Sequence, residues 1–318
     1  MEINKIYQGD SLAVLKTFPD ESIDMCITSP PYWALRDYGV EGQLGLEPTF
    51  QEYINRLCDI FDEVKRVLKK DGTCWVNLGD TYGTKSGSAF ENDNLTGKTK
   101  DEISKTTGIN KANELRGTSK EMHKNLCNIP ARFSIEMQNR GWILRNEIIW
   151  YKPNCMPSSV KDRFTVDFEK LFFFVKNKKY YFEQQTDEAL TKENRPDGVV
   201  RNREYNYKGK YSAKGGFKGG ASDKNTLTMI KDKRNKRTVW KIATKPYPDA
   251  HFAVYPPELI TTPIKTGCKE NGVVLDIFMG SGTTAKVARD LDRNYIGIEL
   301  NKDYIKLAND RLKQQKLL

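Results

Sequence analysis

Histidine and paired cysteine are scarce in this chain. Only two histidines occur, His123 and His251, which argues against a histidine-based metal site or catalytic triad as the basis for function. The six cysteines are scattered without a CxxC pair, and several lie within apolar stretches. We therefore expect reduced core thiols of a cytoplasmic protein, with neither a disulfide framework nor a bound metal.

Long apolar runs are also missing. The sequence has no stretch of 18 apolar residues and no charged-then-apolar leader at its start, which predicts a soluble protein that is neither exported nor embedded in a membrane. Its 318 residues, 38% of them hydrophobic, suffice for one large domain or for a domain that carries an insert.

The excess of positive charge is confined to one stretch. Residues 191–241 contain 15 Lys and Arg against 5 Asp and Glu, which accounts for the whole net charge of +10. Aromatic residues and two Gly-Gly pairs are interleaved with these cations, a composition that suits a polyanion with stackable bases; a solvated insert is the alternative. The candidate polyanion-binding residues are Arg201, Arg203, Lys208, Lys210, Lys214, Lys218, Lys233, Arg234, Lys236 and Arg237.

One stretch near the start carries the first chemical signal. The apolar segment 23–27 predicts a buried strand, and Pro30 and Pro31 must end it because proline has no N–H for a ladder. The stiff turn holds out the Ser29 hydroxyl, the Pro30 carbonyl and the Tyr32 ring. Fixed acceptors beside a stacking face suit a planar substrate with an amino group, although an ordinary strand-ending turn has the same pattern.

A second signal lies near the other end. A strand at 273–277 leads into the glycine-rich turn 278–284 and a helix at 285–291, and a further strand ends in Glu299. This order is typical of the nucleotide-binding half of a doubly wound sheet, whose acid binds ribose hydroxyls. The turn lacks the third glycine of dinucleotide sites and the lysine of phosphate-gripping loops. We therefore expect a nucleoside without phosphates, with S-adenosylmethionine the leading candidate and Asp276 placed for its amino group.

The rest of the chain predicts an α/β organisation. Ser11 could cap a helix at 12–17, and apolar residues at helical spacing predict a helix over 50–70 before a buried strand at 73–78. Strand, helix and strand at this spacing predict a parallel sheet. The polar segment 84–120 reads as a mobile excursion, either a disordered loop or one that orders on a ligand.

The two signals together resemble a known family. TSPPYW and DIFMGSGTT are similar to the catalytic and cofactor motifs of amino-group DNA methyltransferases, and their order resembles the permuted β-class arrangement. HFAVYPPEL (residues 251–259) resembles the segment on the methionine end of the cofactor, and QGDS (8–11) resembles the one on the adenosine side. The resemblance covers most of the chain except 84–120 and about 185–245.

The resemblance implies a fold and a division of the chain. It implies an α/β, Rossmann-like, seven-stranded and mainly parallel sheet with helices on both faces. Residues 1–183 would form the catalytic half, 184–245 a basic target-recognition insert, and 246–318 the S-adenosylmethionine-binding half of the same domain. The implied catalytic residues are Ser29, Pro30, Pro31 and Tyr32. The implied cofactor-binding residues are Asp10, His251, Phe252, Ala253, Asp276, Phe278, Gly280, Ser281, Gly282, Thr283, Thr284 and Glu299.

The implied reaction is methylation of the exocyclic amino group of a base flipped out of double-stranded DNA. A serine before Pro-Pro-Tyr goes more often with cytosine N4 in the family, so cytosine N4 is favoured over adenine N6. No Pro-Cys dipeptide occurs, which argues against attack on a ring carbon by a cysteine. A dead methyltransferase fold that binds nucleic acid, and an RNA or small-molecule methyltransferase, stay open. Whether a cognate restriction endonuclease is its partner also stays open, as does the choice between a monomer and a homodimer. The expected location is the cytoplasm, for a protein of prokaryotic or phage type.

Overall fold

The computed structural model describes residues 1–35, 37–83, 122–188, 233–245 and 255–313. The excursion expected at 84–120 lies outside these residues, as does most of the basic block. The chain divides into two compact units: one comprises Met1–Glu183 and Thr238–Leu318, and the other comprises Gln184–Arg237. The second unit ends before the insert boundary expected at residue 245, since Thr238–Lys245 belongs to the first.

Helices and strands alternate along the described chain. The strands are β1 (Lys5–Gln8), β2 (Ile23–Thr28), β3 (Leu68–Leu78), β4 (Ile143–Tyr151), β5 (Phe168–Val175), β6 (Thr186–Glu188), β7 (Lys233–Asn235), β8 (Val239–Lys241), β9 (Val273–Asp276) and β10 (Asn294–Glu299). The helices are α1 (Ser11–Leu15), α2 (Phe50–Val67), α3 (Ile129–Asn139), α4 (Pro257–Gly267), α5 (Thr283–Asp290) and α6 (Lys302–Lys313).

The first unit is built on an eight-stranded sheet in the order β1-β10-β9-β2-β3-β5-β4-β8. Every neighbouring pair is parallel except the two that involve β5, which runs antiparallel to both β3 and β4. Seven strands therefore point one way and one points the other. The predicted Rossmann-like, mainly parallel fold is confirmed.

An eighth strand is the difference from the predicted count of seven. β8 extends the sheet edge beside β4, where Ile149 pairs with Val239 and Trp150 with Trp240. Trp240 is 8% exposed, and the Trp150 indole donates to the Ile242 carbonyl at 2.8 Å. These contacts tie the end of the basic block to the sheet, although its composition predicted no such strand.

Helices cover both faces of the sheet, as predicted. One apolar cluster joins α1, α2 and α3 to the sheet around Leu57, Phe61 and Phe133. The other joins α4 and α5 to the opposite face around Ile260 and Ala288. Each face of the central strands is therefore buried, which explains why their sequences are continuously apolar instead of alternating.

Local boundaries differ from the sequence expectation at a few places. Helix α2 ends at Val67 and β3 begins at once, because Leu68 already pairs with Ile23 in the ladder. Asp10, not Ser11, caps α1: its Oδ1 accepts from the Ala13 N–H at 3.0 Å. The Ser11 hydroxyl instead donates to the Ile277 carbonyl at 2.6 Å.

Candidate active site

The two motif stretches meet at the carboxyl ends of neighbouring strands. In the strand order, β2 is followed by β3 on one side, and β9 is followed by β10 and the edge strand β1 on the other. β2 and β9 are therefore adjacent at the point where strand order reverses, and such a point opens a crevice for a ligand. The Thr28 hydroxyl donates to Asp276 Oδ1 across this junction at 2.6 Å.

Asp276 lies behind the turn and hydrogen-bonds to it, and its expected contact with the cofactor amino group stays a prediction. Its side chain is buried, and both oxygens already have donors within the protein. The donors are Thr28 Oγ1 at 2.6 Å and the Phe278 N–H at 3.0 Å on Oδ1, and Tyr255 OH at 3.0 Å and Thr284 Oγ1 at 2.5 Å on Oδ2. Burial raises the pKa of Asp276, and these hydrogen bonds oppose that rise.

The glycine-rich turn leaves room for a ligand at one glycine and for a helix at the other. Gly280 has φ +52°, and a Cβ built on it would lie 4.0 Å from the Phe278 carbonyl oxygen, with no closer contact. Gly282 has φ +80°, but a Cβ there would lie 2.8 Å from the Ala308 Cβ. Gly282 therefore permits close packing of α6, whereas Gly280 keeps the cleft open.

Glu299 ends β10 beside this turn, and Asp10 caps α1 two residues after the neighbouring parallel strand β1 ends. The Glu299 carboxylate accepts from the backbone N–H groups of Gly280 and Asn301, each at 2.8 Å. Burial is the main cause that raises the pKa of Glu299, and these N–H groups oppose it.

The Ser-Pro-Pro-Tyr stretch is held by side chains from β3 and β5. Ser29 Oγ lies 3.5 Å and the Tyr32 hydroxyl 3.3 Å from Asn77 Oδ1. The Tyr32 hydroxyl also donates to Glu169 Oε2 at 2.7 Å, and Glu169 forms an ion pair with Lys152. Burial, and next the Glu169 carboxylate, raise the pKa of the Tyr32 phenol well above its usual value, so the hydroxyl keeps its proton.

The Tyr32 ring rests on a glycine at the end of β3. A Cβ added to Gly79 would lie 2.6 Å from Tyr32 Cε2, so only glycine leaves room for the ring in this position. Trp33 is buried, and its indole donates to the Glu47 carbonyl at 2.9 Å. Trp33 therefore packs in the core, and Tyr32 alone of the two aromatics lines the cleft.

Both stretches line one cleft of about 340 Å³. The predicted site residues in its wall are Asp10, Ser29, Pro30, Pro31, Tyr32, Phe278, Gly280, Ser281, Thr283 and Glu299. Asp276, Gly282 and Thr284 are absent from the wall: Asp276 and Thr284 hydrogen-bond to each other behind the turn, and Gly282 packs on α6.

Several wall residues were not among the predicted site residues. Three of them lie in strands and three in loops: Asn77, Trp150 and Glu169, and Lys152, Tyr255 and Asn301. Tyr255 lies in HFAVYPPEL, a segment already noted as resembling the family, whereas Lys152 directly follows β4. Asn77 and Glu169 reach the cleft only through the β3–β5 pairing, which no local pattern reveals.

Some predicted residues lie outside the described part of the chain. They are His251, Phe252, Ala253, Arg201, Arg203, Lys208, Lys210, Lys214 and Lys218. The four described candidates of the basic block belong to the second unit, where β7 pairs with β6. There Lys233 and Arg234 face Glu188 and Asp187 in register, and Lys236 forms a 3.2 Å ion pair with Asp187.

Within the described ranges, no cluster of three metal-binding side chains occurs. In the same part of the chain, no helix has the length and apolar character needed to cross a membrane.

The fold and the cleft define a class of protein. A mainly parallel sheet carries a nucleoside-type glycine turn at its switch point, directly beside a Ser-Pro-Pro-Tyr stretch that follows β2. This is the arrangement of a β-class amino-methyltransferase. Residues 23–310 match the family model described as DNA methylase, and the chain belongs to this family of N6/N4 DNA methyltransferases.

Relatives and solved structures agree with this assignment. The chain is 39% identical to the Type II methyltransferase M.SmaI of Serratia marcescens over 310 residues, which cover 97% of this chain and 90% of that protein. It is equally identical to M.Cfr9I of Citrobacter freundii over 318 residues, covering 98% and 89%.

Two solved structures share the fold. The PvuII DNA methyltransferase (cytosine-N4-specific) matches with a TM-score of 0.61 at 21% identity, over 100% of this chain and 89% of that one. TTHA0409 of Thermus thermophilus, complexed with S-adenosyl-L-methionine, matches with a TM-score of 0.55 at 21% identity, over 96% and 93%.

Proposed function

We propose that this protein is a site-specific DNA methyltransferase that methylates the N4 amino group of cytosine, with S-adenosylmethionine as the methyl donor. The observation that carries the proposal is the single cleft that both motif stretches line, with Ser29 and Tyr32 on one side and Gly280 and Glu299 on the other. Cytosine N4 is preferred to adenine N6 because serine precedes the Pro-Pro-Tyr sequence.

The residues of the turn fit an adenosine group. A Cβ at Gly280 would have only the Phe278 carbonyl oxygen, at 4.0 Å, within that distance, and Glu299 offers carboxylate oxygens that are already oriented by two N–H groups. Asp10 follows the adjacent strand β1 and lines the same cleft. Glu299 would accept from ribose hydroxyls, and Asp10 would lie on the adenosine side. Bound S-adenosylmethionine would supply an electrophilic methyl group on a sulfonium.

Ser29 is oriented to accept a hydrogen bond. Asn77 Nδ2 donates to the Lys170 carbonyl at 3.2 Å, which turns Asn77 Oδ1 toward the Ser29 hydroxyl. A hydroxyl that donates to Asn77 keeps its lone pairs for another donor. Ser29 Oγ and the Pro30 carbonyl would then accept the two hydrogens of the target amino group, so that its nitrogen becomes tetrahedral and its lone pair faces the methyl donor.

Tyr32 supplies the face on which the base lies. Its ring packs against Gly79, and its hydroxyl donates a hydrogen bond to Glu169. A ring fixed at two points loses little conformational entropy when a flipped base stacks on it. Lys152 neutralises Glu169, so the network brings no net negative charge to the reacting nitrogen.

Two further observations support cytosine N4 as the methylated atom and DNA as the substrate. The solved PvuII methyltransferase is described as cytosine-N4-specific and shares the fold over the whole chain. The basic block at 191–241 would contact the phosphate backbone and the target bases, and we infer from its composition that residues 184–245 serve target recognition. The curated relatives are Type II methyltransferases, so we infer a cytoplasmic prokaryotic enzyme, to which a restriction endonuclease of the same specificity could correspond.

The test identifies the methylated base. The protein is incubated with S-adenosylmethionine carrying a deuterated methyl group and with plasmid DNA from a methylation-deficient host, and the nucleosides are separated by mass spectrometry. Deuterated N4-methylcytosine is expected. Deuterated N6-methyladenine would contradict the role of Ser29 in base choice but keep the methyltransferase. No labelled nucleoside in DNA would contradict the proposed function.

A further inference from the structure

The two most exposed large apolar side chains of the described chain lie on one loop. Phe164 is 96% exposed and Met156 is 87% exposed, whereas no other large apolar residue in the described ranges exceeds 64%. Both belong to residues 152–167, which connect β4 to β5 and are called here the β4–β5 loop. Exposure of this size on a single loop needs a physical reason, because apolar surface left in water stabilises nothing in the free protein.

The β4–β5 loop is fixed to its surroundings at several points. Its ends are joined by a hydrogen bond from the Lys152 N–H to the Asp167 carbonyl at 2.7 Å. The other anchors are two 2.9 Å hydrogen bonds between Asn154 and Thr244, a 2.5 Å ion pair between Asp162 and Lys124, and the Arg163 guanidinium 3.8 Å from the centre of the Tyr82 ring. Phe164 follows directly after two anchored residues, so its backbone is held while its ring stays in solvent.

The β4–β5 loop begins and ends beside the cleft. β4 runs in the same direction as β2 and β9, so the loop leaves the sheet at the edge where the two motif stretches meet. Lys152 at its first position and Glu169 just beyond its last both line the cleft. Whatever delivers a substrate into the cleft must therefore pass close to this loop.

We propose that the β4–β5 loop contacts the DNA duplex and that Phe164 inserts into the base stack at the position vacated by the flipped base. The inference rests on the proposed function, since only an extrahelical base leaves such a vacancy. An aromatic ring of this size can stack on the neighbouring bases, and apolar wedges of this kind stabilise opened base steps in other DNA-binding proteins. Lys161 and Arg163 next to Phe164 add positive charge suited to the phosphate backbone.

DNA fits this surface better than a second protein chain does. The loop also exposes Met156, Val160 and Val166, but Lys161 and Arg163 lie beside the Phe164 ring, and cations at the centre of an apolar surface suit the phosphate backbone better than a protein interface. The loop is also continuous with the cleft that takes the base. A second copy of this chain seated on Phe164 is the competing occupant, and the experiment separates the two.

The experiment compares two duplexes that carry the target sequence found by mapping the methylated plasmid. In one, the target base is paired; in the other, it faces an abasic site, which removes the cost of breaking the pair. Phe164→Ala is expected to lower kcat/KM by about tenfold or more on the paired duplex. On the abasic duplex it should stay within about threefold of the wild type. Ile135→Ala, which removes another exposed apolar side chain on α3, should change neither value.

Each contrary result has a definite meaning. If the wild type methylates both duplexes and Phe164→Ala equals Ile135→Ala on the paired one, the wedge is refuted while the proposed function stands. An equal loss on both duplexes also refutes it, because the residue then acts on something other than flipping. A wild-type dimer that Phe164→Ala dissociates, seen by sedimentation, assigns the ring to a second copy. A wild type that methylates neither the plasmid nor the duplexes refutes the proposed function and the wedge with it.

Discussion

Replacing Thr28 with valine removes the hydrogen bond that joins the two motif stretches. Thr28 is fully buried, and its hydroxyl donates at 2.6 Å to a buried carboxylate 248 residues later in the chain. A hydrogen bond to a charged group contributes about 1.5–3 kcal/mol, and its loss leaves Asp276 Oδ1 with the Phe278 N–H as donor. The added methyl group returns about 0.8 kcal/mol through burial. The expected net loss of stability is therefore about 1–2 kcal/mol.

Chemical denaturation at neutral pH measures this loss directly, and Thr261→Val is the matched control. The Thr261 hydroxyl donates only to the Pro257 carbonyl within its own helix, so its replacement should cost less than about 0.5 kcal/mol. Losing the Thr28 donor should also raise the pKa of Asp276 further, since that hydrogen bond opposes the effect of burial. A Thr28→Val protein as stable as the Thr261→Val protein would refute the idea that this bond holds the junction.

The remaining predictions concern the cleft itself. Ser29→Ala and Tyr32→Ala should lower turnover by about 100-fold or more, with cofactor affinity measured by calorimetry nearly unchanged; near-normal rates would remove both from the mechanism. Gly79→Ala should also slow turnover, because its Cβ would meet the Tyr32 ring at 2.6 Å, and an unaffected rate would show that the ring position is unimportant. Gly280→Val should weaken cofactor binding by about tenfold or more, since φ +52° strains a branched residue, and an unchanged Kd would place the cofactor elsewhere. Burial raises the pKa of Glu299, so acidification should protonate it at a higher pH than an ordinary glutamate and weaken cofactor binding there. Glu299→Gln should lose this pH dependence, and an identical pH profile would contradict the ribose contact.

Much of the fold was predictable because its signals are local. Pro30 and Pro31 end β2 wherever the chain goes next, and the apolar spacing of residues 50–67 specifies a helix without tertiary help. The glycine turn after β9 has a backbone form that few other residues tolerate. These features place the two motifs at the carboxyl ends of strands. In a doubly wound sheet, ligands bind where such ends meet and the strand order reverses, so the two motifs are expected to lie together.

The finer roles depended on contacts that no local pattern contains. No local pattern indicated that Thr28, Tyr255 and Thr284 converge on Asp276, and the contact of Asp276 with the cofactor stays a prediction. The stacking role of Tyr32 was expected from its motif, but the partner of its hydroxyl was not. That partner, Glu169, lies 137 residues away and reaches Tyr32 through the antiparallel β3–β5 pairing. Which polar group lines a cleft is decided by its neighbours in space.

A crystal structure with S-adenosylhomocysteine tests the central claim most directly. We expect the nucleoside in the cleft at the β2–β9 junction, with its ribose on Glu299 and the rest of the adenosine beside Gly280. The sulfur should face Ser29 and Tyr32. Soaking Gly280→Val crystals under the same conditions should leave that density weaker. Density for the nucleoside at a place that does not contact both the Ser-Pro-Pro-Tyr stretch and the glycine turn would contradict the claim that these two stretches form one methyl-transfer site.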